Sequence, residues 1–209
     1  GGAKGAVACD RKLLSMKELE GLTRRYATEI SIIIGPESDI PAPDMNTDAQ
    51  IMAWIMDTYS MNQGYSVPGV VTGKPFSVGG TRGRVEATGH GCMNVVQETA
   101  RYLDFSLEGA TIAVQGFGNV GSVAAKMLQD QGCKIIAVSD LSGGVLRSSG
   151  LNVRELIDYK EQNPNFWDCK GSDQITNKEL LELPCDILVL AAMEGQVTST
   201  NASSIRARV

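Results

Sequence analysis

Val114-Gln115-Gly116-Phe117-Gly118-Asn119-Val120-Gly121 decides the fold, and Asp140 stands nineteen residues beyond its last glycine. An apolar segment, Thr111 to Gln115, runs into Gly-x-Gly-x-x-Gly, and a helix-compatible run, Asn119 to Gln131, follows. A second apolar segment, Lys134 to Ser139, ends on the acid. The order strand, glycine turn, helix, strand, acid predicts a dinucleotide cradle of Rossmann type. Gly116 is expected to make the tight turn, Gly118 to let backbone approach a pyrophosphate, and Gly121 to let helix and strand pack closely. The first N–H groups of the helix have no partners within it and would face the phosphates. Asp140 would accept a hydrogen bond from a ribose 2′-hydroxyl. The competing reading is a structural strand–helix–strand turn that holds no ligand.

A chain of 209 residues has room for one large domain or two small ones. The net charge of −5, with no run of Lys or Arg, argues against nucleic acid or an anionic membrane as the main partner. The longest apolar run, Ile187 to Met193, is far too short to span a bilayer, and no secretory leader pattern is visible. The 5 cysteines are widely spaced, form no C-x-x-C, and with the single His90 make no zinc set, so no metal is expected. Buried, reduced thiols of a cytoplasmic protein are the expectation. The opening Gly1-Gly2 and the stop at Val209 suggest an internal piece of a longer protein.

Ser15-Met16-Lys17-Glu18 has the form of a capping box, and Leu19, Leu22, Tyr26 and Ile30 mark an apolar stripe, which predicts a helix over 15–30. Thr47-Asp48-Ala49-Gln50 predicts a second capped helix, through Ile51, Trp54, Ile55 and Tyr59. Gly35-Pro36 and Pro41-Ala42-Pro43-Asp44 impose an extended connection between them. The stretch from Gly64 to Gly83, rich in Gly, Pro, Thr and Ser, reads as a domain junction. Residues 86–102 and 152–162 read as helices, 142–144 as a turn, and 145–147 and 186–190 as short strands.

Lys4 sits among glycines and alanines, which let backbone come close to a substrate and leave the ammonium lightly solvated. An ordinary lysine, with a pKa of about 10.4, is a poor base near neutral pH unless burial or neighbouring charge lowers it. On pattern alone the favoured reading of Lys4 is a solvated lysine in a glycine-rich turn. Asp44 follows Pro41-Ala42-Pro43, which would hold a proton-shuttling carboxylate in place. It also lies three residues before Thr47, where an acid favours a helix start.

Gly-Gly-Ala-Lys-Gly at 1–5, Ile40-Pro-Ala-Pro-Asp-Met-Asn-Thr47, Met52-Ala-Trp-Ile-Met-Asp-Thr-Tyr59, Val71-Thr-Gly-Lys-Pro75, Glu86-Ala-Thr-Gly89 and Val114 to Gly121 occur in that order. Together they resemble the glutamate dehydrogenases, within the wider glutamate/leucine/phenylalanine/valine dehydrogenase family. The resemblance covers nearly the whole chain and is strongest to the bacterial and archaeal type. It implies that Lys4 is the catalytic lysine and Asp44 the proton-transfer acid. It implies that Thr88 and Asn119, with Arg84, hold the nicotinamide side of a coenzyme, and Gly116, Gly118, Gly121 and Asp140 its pyrophosphate and adenosine side. The implied reaction is reversible oxidative deamination of L-glutamate to 2-oxoglutarate and ammonium. The coenzyme expected is NAD, because Asp140 repels a 2′-phosphate, with NADP open since Arg147 lies nearby.

The implied fold is α/β: residues 1–79 form part of an α/β substrate domain, and 80–209 a Rossmann-like, doubly wound coenzyme domain. The resemblance also implies a homo-hexamer. Lysines that grip the substrate carboxylates would lie before Gly1, and a serine reading the side-chain carboxylate beyond Val209. Three positions depart from the family pattern: Arg11 and Leu190 stand where proline is usual, and His90 where arginine is usual. The alternatives are a leucine-, phenylalanine- or valine-type dehydrogenase and a catalytically silent nucleotide-binding subunit.

Overall fold

The computed structural model describes residues 3–163, 165, 169 and 171–209. They fall into two compact units that divide between Val85 and Glu86.

The first unit is built on two helices, α1 (Met16–Ile30) and α2 (Ala49–Gln63). Ser15 caps α1 in a complete capping box: its Oγ accepts from the Glu18 N–H while Glu18 accepts from the Ser15 N–H. The buried line of α1 is Leu19, Thr23 and Ala27, with Leu22, Tyr26 and Ile30 half-buried beside it. That line packs on Ile51, Met52, Ile55 and Tyr59 of α2. Arg24 secures the rim, donating to Glu20 on its own helix and to Asp57 and Thr58 on α2. The cap of α2 is Asp48, whose carboxylate accepts from the Ile51 N–H at 3.0 Å, one residue later than expected. Thr47 is drawn away because its hydroxyl bonds the backbone of Asp44. Residues 64–83, read from sequence as the junction, supply three core side chains, Val67, Val70 and Val71, which close the bottom of the α1–α2 pair. Among the described residues this unit forms one isolated bridge, Ile34 to Asp39, and no strand.

The second unit runs α3 (Ala87–Tyr102), β1 (Thr111–Gln115), α4 (Asn119–Asp130), β2 (Lys134–Asp140), β3 (Gly143–Leu146), α5 (Val153–Gln162), β4 (Asp173–Ile175), α6 (Asn177–Leu181) and β5 (Ile187–Leu190). The sheet order is β4-β3-β2-β1-β5. β2, β1 and β5 are parallel, whereas β3 and β4 add an antiparallel edge. The strand expected at 145–147 therefore begins two residues earlier, at Gly143, because β2 turns straight back on itself through Leu141 and Ser142. β4 and α6 lie outside the sequence expectation: a three-residue strand carries too short a period to detect, whereas α6 has a local mark in its Thr176–Glu179 capping box.

Helices cover both faces. Ile112 and Val114 of β1 face a core shared with α3, α4 and α5, while Ala113 faces Leu180 of α6. Between Ile112 and Ala113 of β1 the pairing slips by one, leaving Ile136 of β2 extra, so Ile136 and Ala137 turn together toward α6. This slip sets Ser139 on the α6 face opposite Gln115. The cysteines divide by place: Cys133 and Cys185 are buried, Cys92 and Cys169 half-buried, and Cys9 is exposed, against the expectation that all are inside. Burial, with Glu108 nearby, pushes the Cys133 thiol up to about 11. No helix of the described residues is long and apolar enough to cross a membrane.

α3 and α4 pack closely at Gly89, where an added Cβ would lie 2.5 Å from Val123 Cγ1 and 3.1 Å from the Ala124 nitrogen. Gly91, one step along the same helix, meets nothing within 4 Å. Gly89→Ala is expected to lower the stability of this unit by about 1–3 kcal/mol through overpacking. Gly91→Ala is expected to raise it by up to about 1 kcal/mol through helix propensity. Urea midpoints of the two variants check this pair of opposite signs.

Candidate functional site

In the second unit the site grows from the C-terminal end of β1. Gly116 turns the chain with φ +87°, a conformation that side-chain-bearing residues rarely take, and its N–H donates to the Ser139 carbonyl at 2.9 Å. Gly121 lies so close to the turn that a Cβ there would sit 1.7 Å from the Gly116 carbonyl oxygen. Gly118 is the N-cap of α4, has ordinary φ, and faces open space: nothing lies within 4 Å of where its Cβ would be. No side chain caps the helix. The Gly118 carbonyl is held from behind by the Ser122 N–H at 2.9 Å and hydroxyl at 2.7 Å. The result is an uncapped helix start, carrying the positive end of the peptide dipoles, beside a backbone with no side chain in the way. Those residues fit the pyrophosphate of a dinucleotide.

Asn119 and Thr88 are exposed in the first turns of α4 and α3, two helices brought together by the Gly89–Val123 contact. Arg84 is exposed in the turn that ends the first unit, its N–H 3.4 Å from the Thr81 carbonyl. Asp140 ends β2 with its side chain only 15% exposed. Its Oδ1 accepts from the N–H and hydroxyl of Ser142 at 2.7 and 2.6 Å, and its Oδ2 is paired with Lys160 of α5. The carboxylate is thus already engaged, with one lone pair of four left for a ribose hydroxyl. Arg147 is the cation expected near this acid from the sequence. Arg147 Nε donates to the Gly171 carbonyl, and it is Lys160, twenty residues from Asp140, that faces the acid. No local pattern marks that pairing.

In the first unit, Lys4 Nζ donates to Asp44 Oδ2 at 2.7 Å, so the structure brings these two predicted residues together across 40 residues of chain. Gly1 and Gly2 of the same motif lie outside the described residues. The pair is open to solvent, with Lys4 83% and Asp44 61% exposed. The Lys4 ammonium and then the Met45 N–H hold the Asp44 carboxyl below its ordinary range. The Asp44 backbone is pinned on both sides: its N–H donates to Thr47 Oγ1 and its carbonyl accepts from the same hydroxyl, at 2.7 and 2.8 Å. Thr72 N–H donates to the Pro41 carbonyl at 2.9 Å, which ties the proline run to the core segment at 70–71. Arg11 closes the loop, donating to the Asn46 carbonyl and to Asp48 Oδ2, both at 2.7 Å. Arg11, a departure from the family pattern, thus finds partners 35 and 37 residues away in the chain, beyond the reach of any local signal.

A mixed α/β sheet whose three parallel strands end at a glycine turn, with helices on both faces, has the architecture of part of a Rossmann-type fold. Residues 79–209 match the family described as Glutamate/Leucine/Phenylalanine/Valine dehydrogenase, and residues 1–61 match the Glu/Leu/Phe/Val dehydrogenase dimerisation domain. The chain belongs to this family. It is 51% identical over all 209 residues to the glutamate dehydrogenase of Thermotoga maritima, covering 50% of that protein. It is 45% identical to a catabolic NAD-specific glutamate dehydrogenase of Bacillus subtilis, again over its whole length and 49% of the relative. Among solved structures, the hetero-hexameric glutamate dehydrogenase of Thermus thermophilus in its Leu-bound form superposes with a TM-score of 0.91 at 41% identity. That match takes in 96% of this chain and 47% of the other. The chain spans about half the length of the relatives it matches.

Asp48 carries a pH dependence. Burial raises its pKa, but the Arg11 guanidinium and the Ile51 N–H outweigh that and hold it below the ordinary value. A carboxylate depressed on folding stabilises the fold fully above its unfolded pKa, about 3.9, and loses that contribution as pH falls toward the folded value. Asp48→Asn keeps a competent N-cap and removes the charge. It is expected to cost about 0.2–1 kcal/mol at neutral pH and to flatten the loss of stability below about pH 4. Urea midpoints of the first unit between neutral and acid pH measure both effects.

Proposed function

We propose that the protein containing this chain is a glutamate dehydrogenase of the cytoplasm, catalysing reversible oxidative deamination of L-glutamate to 2-oxoglutarate and ammonium. The observation that carries the reading is the Lys4–Asp44 pair, an ammonium and a carboxylate 2.7 Å apart with the Asp44 loop tied by Thr47 and Thr72, in a chain of this family. NAD is the coenzyme proposed, supported by the uncapped glycine turn, by the acid at 140 and by the NAD-specific relatives. Lys160 at Asp140 weakens the repulsion of a 2′-phosphate and leaves NADP as the second candidate. Assembly as a hexamer is proposed on the likeness to the hetero-hexameric Thermus enzyme.

A bound nicotinamide coenzyme would supply hydride transfer to and from the substrate Cα. Lys4, in its neutral form, takes a proton from the water that attacks the iminium carbon, and as an ammonium it polarises the carbonyl oxygen of the oxo acid. Asp44 moves protons to and from the departing amine, its Oδ2 already within hydrogen-bond reach of Lys4. Thr88, Asn119 and Arg84 are proposed on the nicotinamide side, with Gly116, Gly118, Gly121 and Asp140 on the pyrophosphate and adenosine side. Lys4 is exposed in the first unit, so its function as a base requires that water be removed from around it on substrate binding.

Oxidation of NADH and NADPH with ammonium and a panel of 2-oxo acids tests this, in protein expressed with its natural flanking sequence. Turnover of 2-oxoglutarate is expected, with kcat falling by about 10²–10⁴-fold in Lys4→Ala. Preference for branched or aromatic oxo acids would transfer the assignment to the leucine-, phenylalanine- or valine-type enzymes. Coenzyme binding with no turnover would contradict the enzyme reading.

A further inference from the structure

Gln115 is the last residue of β1, paired across the sheet with Ser139 of β2. It is 1% exposed on the sheet face that α6 covers. Its Nε2 donates to Gln196 Oε1 at 2.7 Å and to Asn177 Oδ1 at 3.1 Å. Asn177 Oδ1 also accepts from the Ser139 hydroxyl at 3.0 Å, and Asn177 Nδ2 donates to Gln196 Oε1 at 3.2 Å. Gln115 Oε1 is buried and has no hydrogen-bond partner among the described residues.

The tie matters because of what Gln196 belongs to. Residues 191–196 form neither helix nor strand, and they run directly against the glycine turn. The Ala191 N–H donates to the Gln115 carbonyl at 2.8 Å, and a Cβ on Gly116 would lie 2.4 Å from the Ala191 carbonyl oxygen. The near end of the segment is therefore held by backbone at Ala191. Its far end is held by side chains: Gln196 Oε1 by Gln115 and Asn177, and the Gln196 carbonyl by Asn201 Nδ2 at 2.8 Å.

Stability does not account for glutamine at 115. A buried amide with an orphaned acceptor weakens a fold. Methionine, of similar length and volume, would remove the orphan. It would strand no neighbour either, because Gln196 Oε1 keeps the Asn177 donor and Asn177 Oδ1 keeps the Ser139 donor. What methionine lacks is the grip on Gln196. We propose that Gln115 is a positioning residue for the dinucleotide, fixing residues 191–196 through Gln196 as a second wall beside the Gly116–Gly121 turn. The inference rests on the reading that this turn holds a dinucleotide.

The test uses Gln115→Met and Gln196→Leu in protein with its natural flanking sequence. Three quantities are read: the Kd for NADH and NADPH by fluorescence titration, the Tm without ligand, and amide hydrogen exchange over 191–201. In Gln115→Met the Tm is expected to hold or rise while exchange over 191–196 accelerates. If the segment is correctly placed only about a tenth of the time, the coenzyme Kd rises about tenfold. Gln196→Leu is expected to reproduce the exchange and affinity changes from the other end of the tie, which excludes a packing defect peculiar to position 115. A lower Tm with unchanged Kd and exchange would make Gln115 merely structural and overturn the proposal, as would no change in any readout. If unaltered protein binds neither coenzyme, the dinucleotide reading itself has failed and the positioning role falls with it. That outcome is distinct from tight binding left intact in both variants.

Discussion

The carbonyl oxygen of Gly116 occupies the space that any side chain on Gly121 would need. That contact sets how close α4 comes to the end of β1, and much of the second unit depends on it. With α4 drawn in, its uncapped start points across the turn instead of past it. The Gly116 N–H reaches Ser139 on β2, and the Ala191 backbone beyond β5 closes over the same glycine. The three parallel strands are thus joined at one point by backbone alone. The side chains of β1 and β2 are almost wholly buried on both faces, which is why these strands read as continuous apolar runs, while β5 leaves Leu190 half exposed. A polar group in such a run demands an explanation, and Gln115 and Ser139 are the two that need one.

The first unit presents the opposite situation. Its distinctive pair, Lys4 and Asp44, is exposed, and an exposed ion pair is worth only about 0–1 kcal/mol. Such a bond does not hold its own geometry. The geometry comes from neighbours: Thr47 fastens the Asp44 backbone, Thr72 fastens Pro41, and Arg11 fastens Asn46 and Asp48. The Lys4 ammonium and the Met45 N–H hold the Asp44 carboxyl below its ordinary range.

What the sequence conveyed and what it withheld follow from the range of each interaction. The Ser15 capping box and the limits of β1, α4 and β2 are set by neighbours within a turn or by unbroken burial, and both leave a local trace. Thr47 and Asp48 are each able to cap, and the choice between them is made by Asp44 on one side and Arg11, 37 residues away, on the other. Lys160 at Asp140, and Gln196 at Gln115, 81 residues apart, have no local signature at all. Val70 and Val71 were concealed by composition: a stretch rich in glycine and proline reads as connection, yet it places two of the most buried side chains in its unit. The antiparallel edge was too short to register. The candidate site residues come from family motifs; the residues that hold them in place leave no such motif.

The central claim is that the open backbone at Gly118, made possible by the Gly116–Gly121 contact, is where a dinucleotide lies. Isothermal titration of NADH into Gly118→Ala tests it most directly, because that methyl group enters empty space and a φ of −92° suits alanine. The account predicts an unchanged melting temperature with NADH affinity lowered by about tenfold or more, as the methyl displaces the phosphate from the α4 N–H groups. A variant that melts like the parent and binds NADH equally well would contradict it.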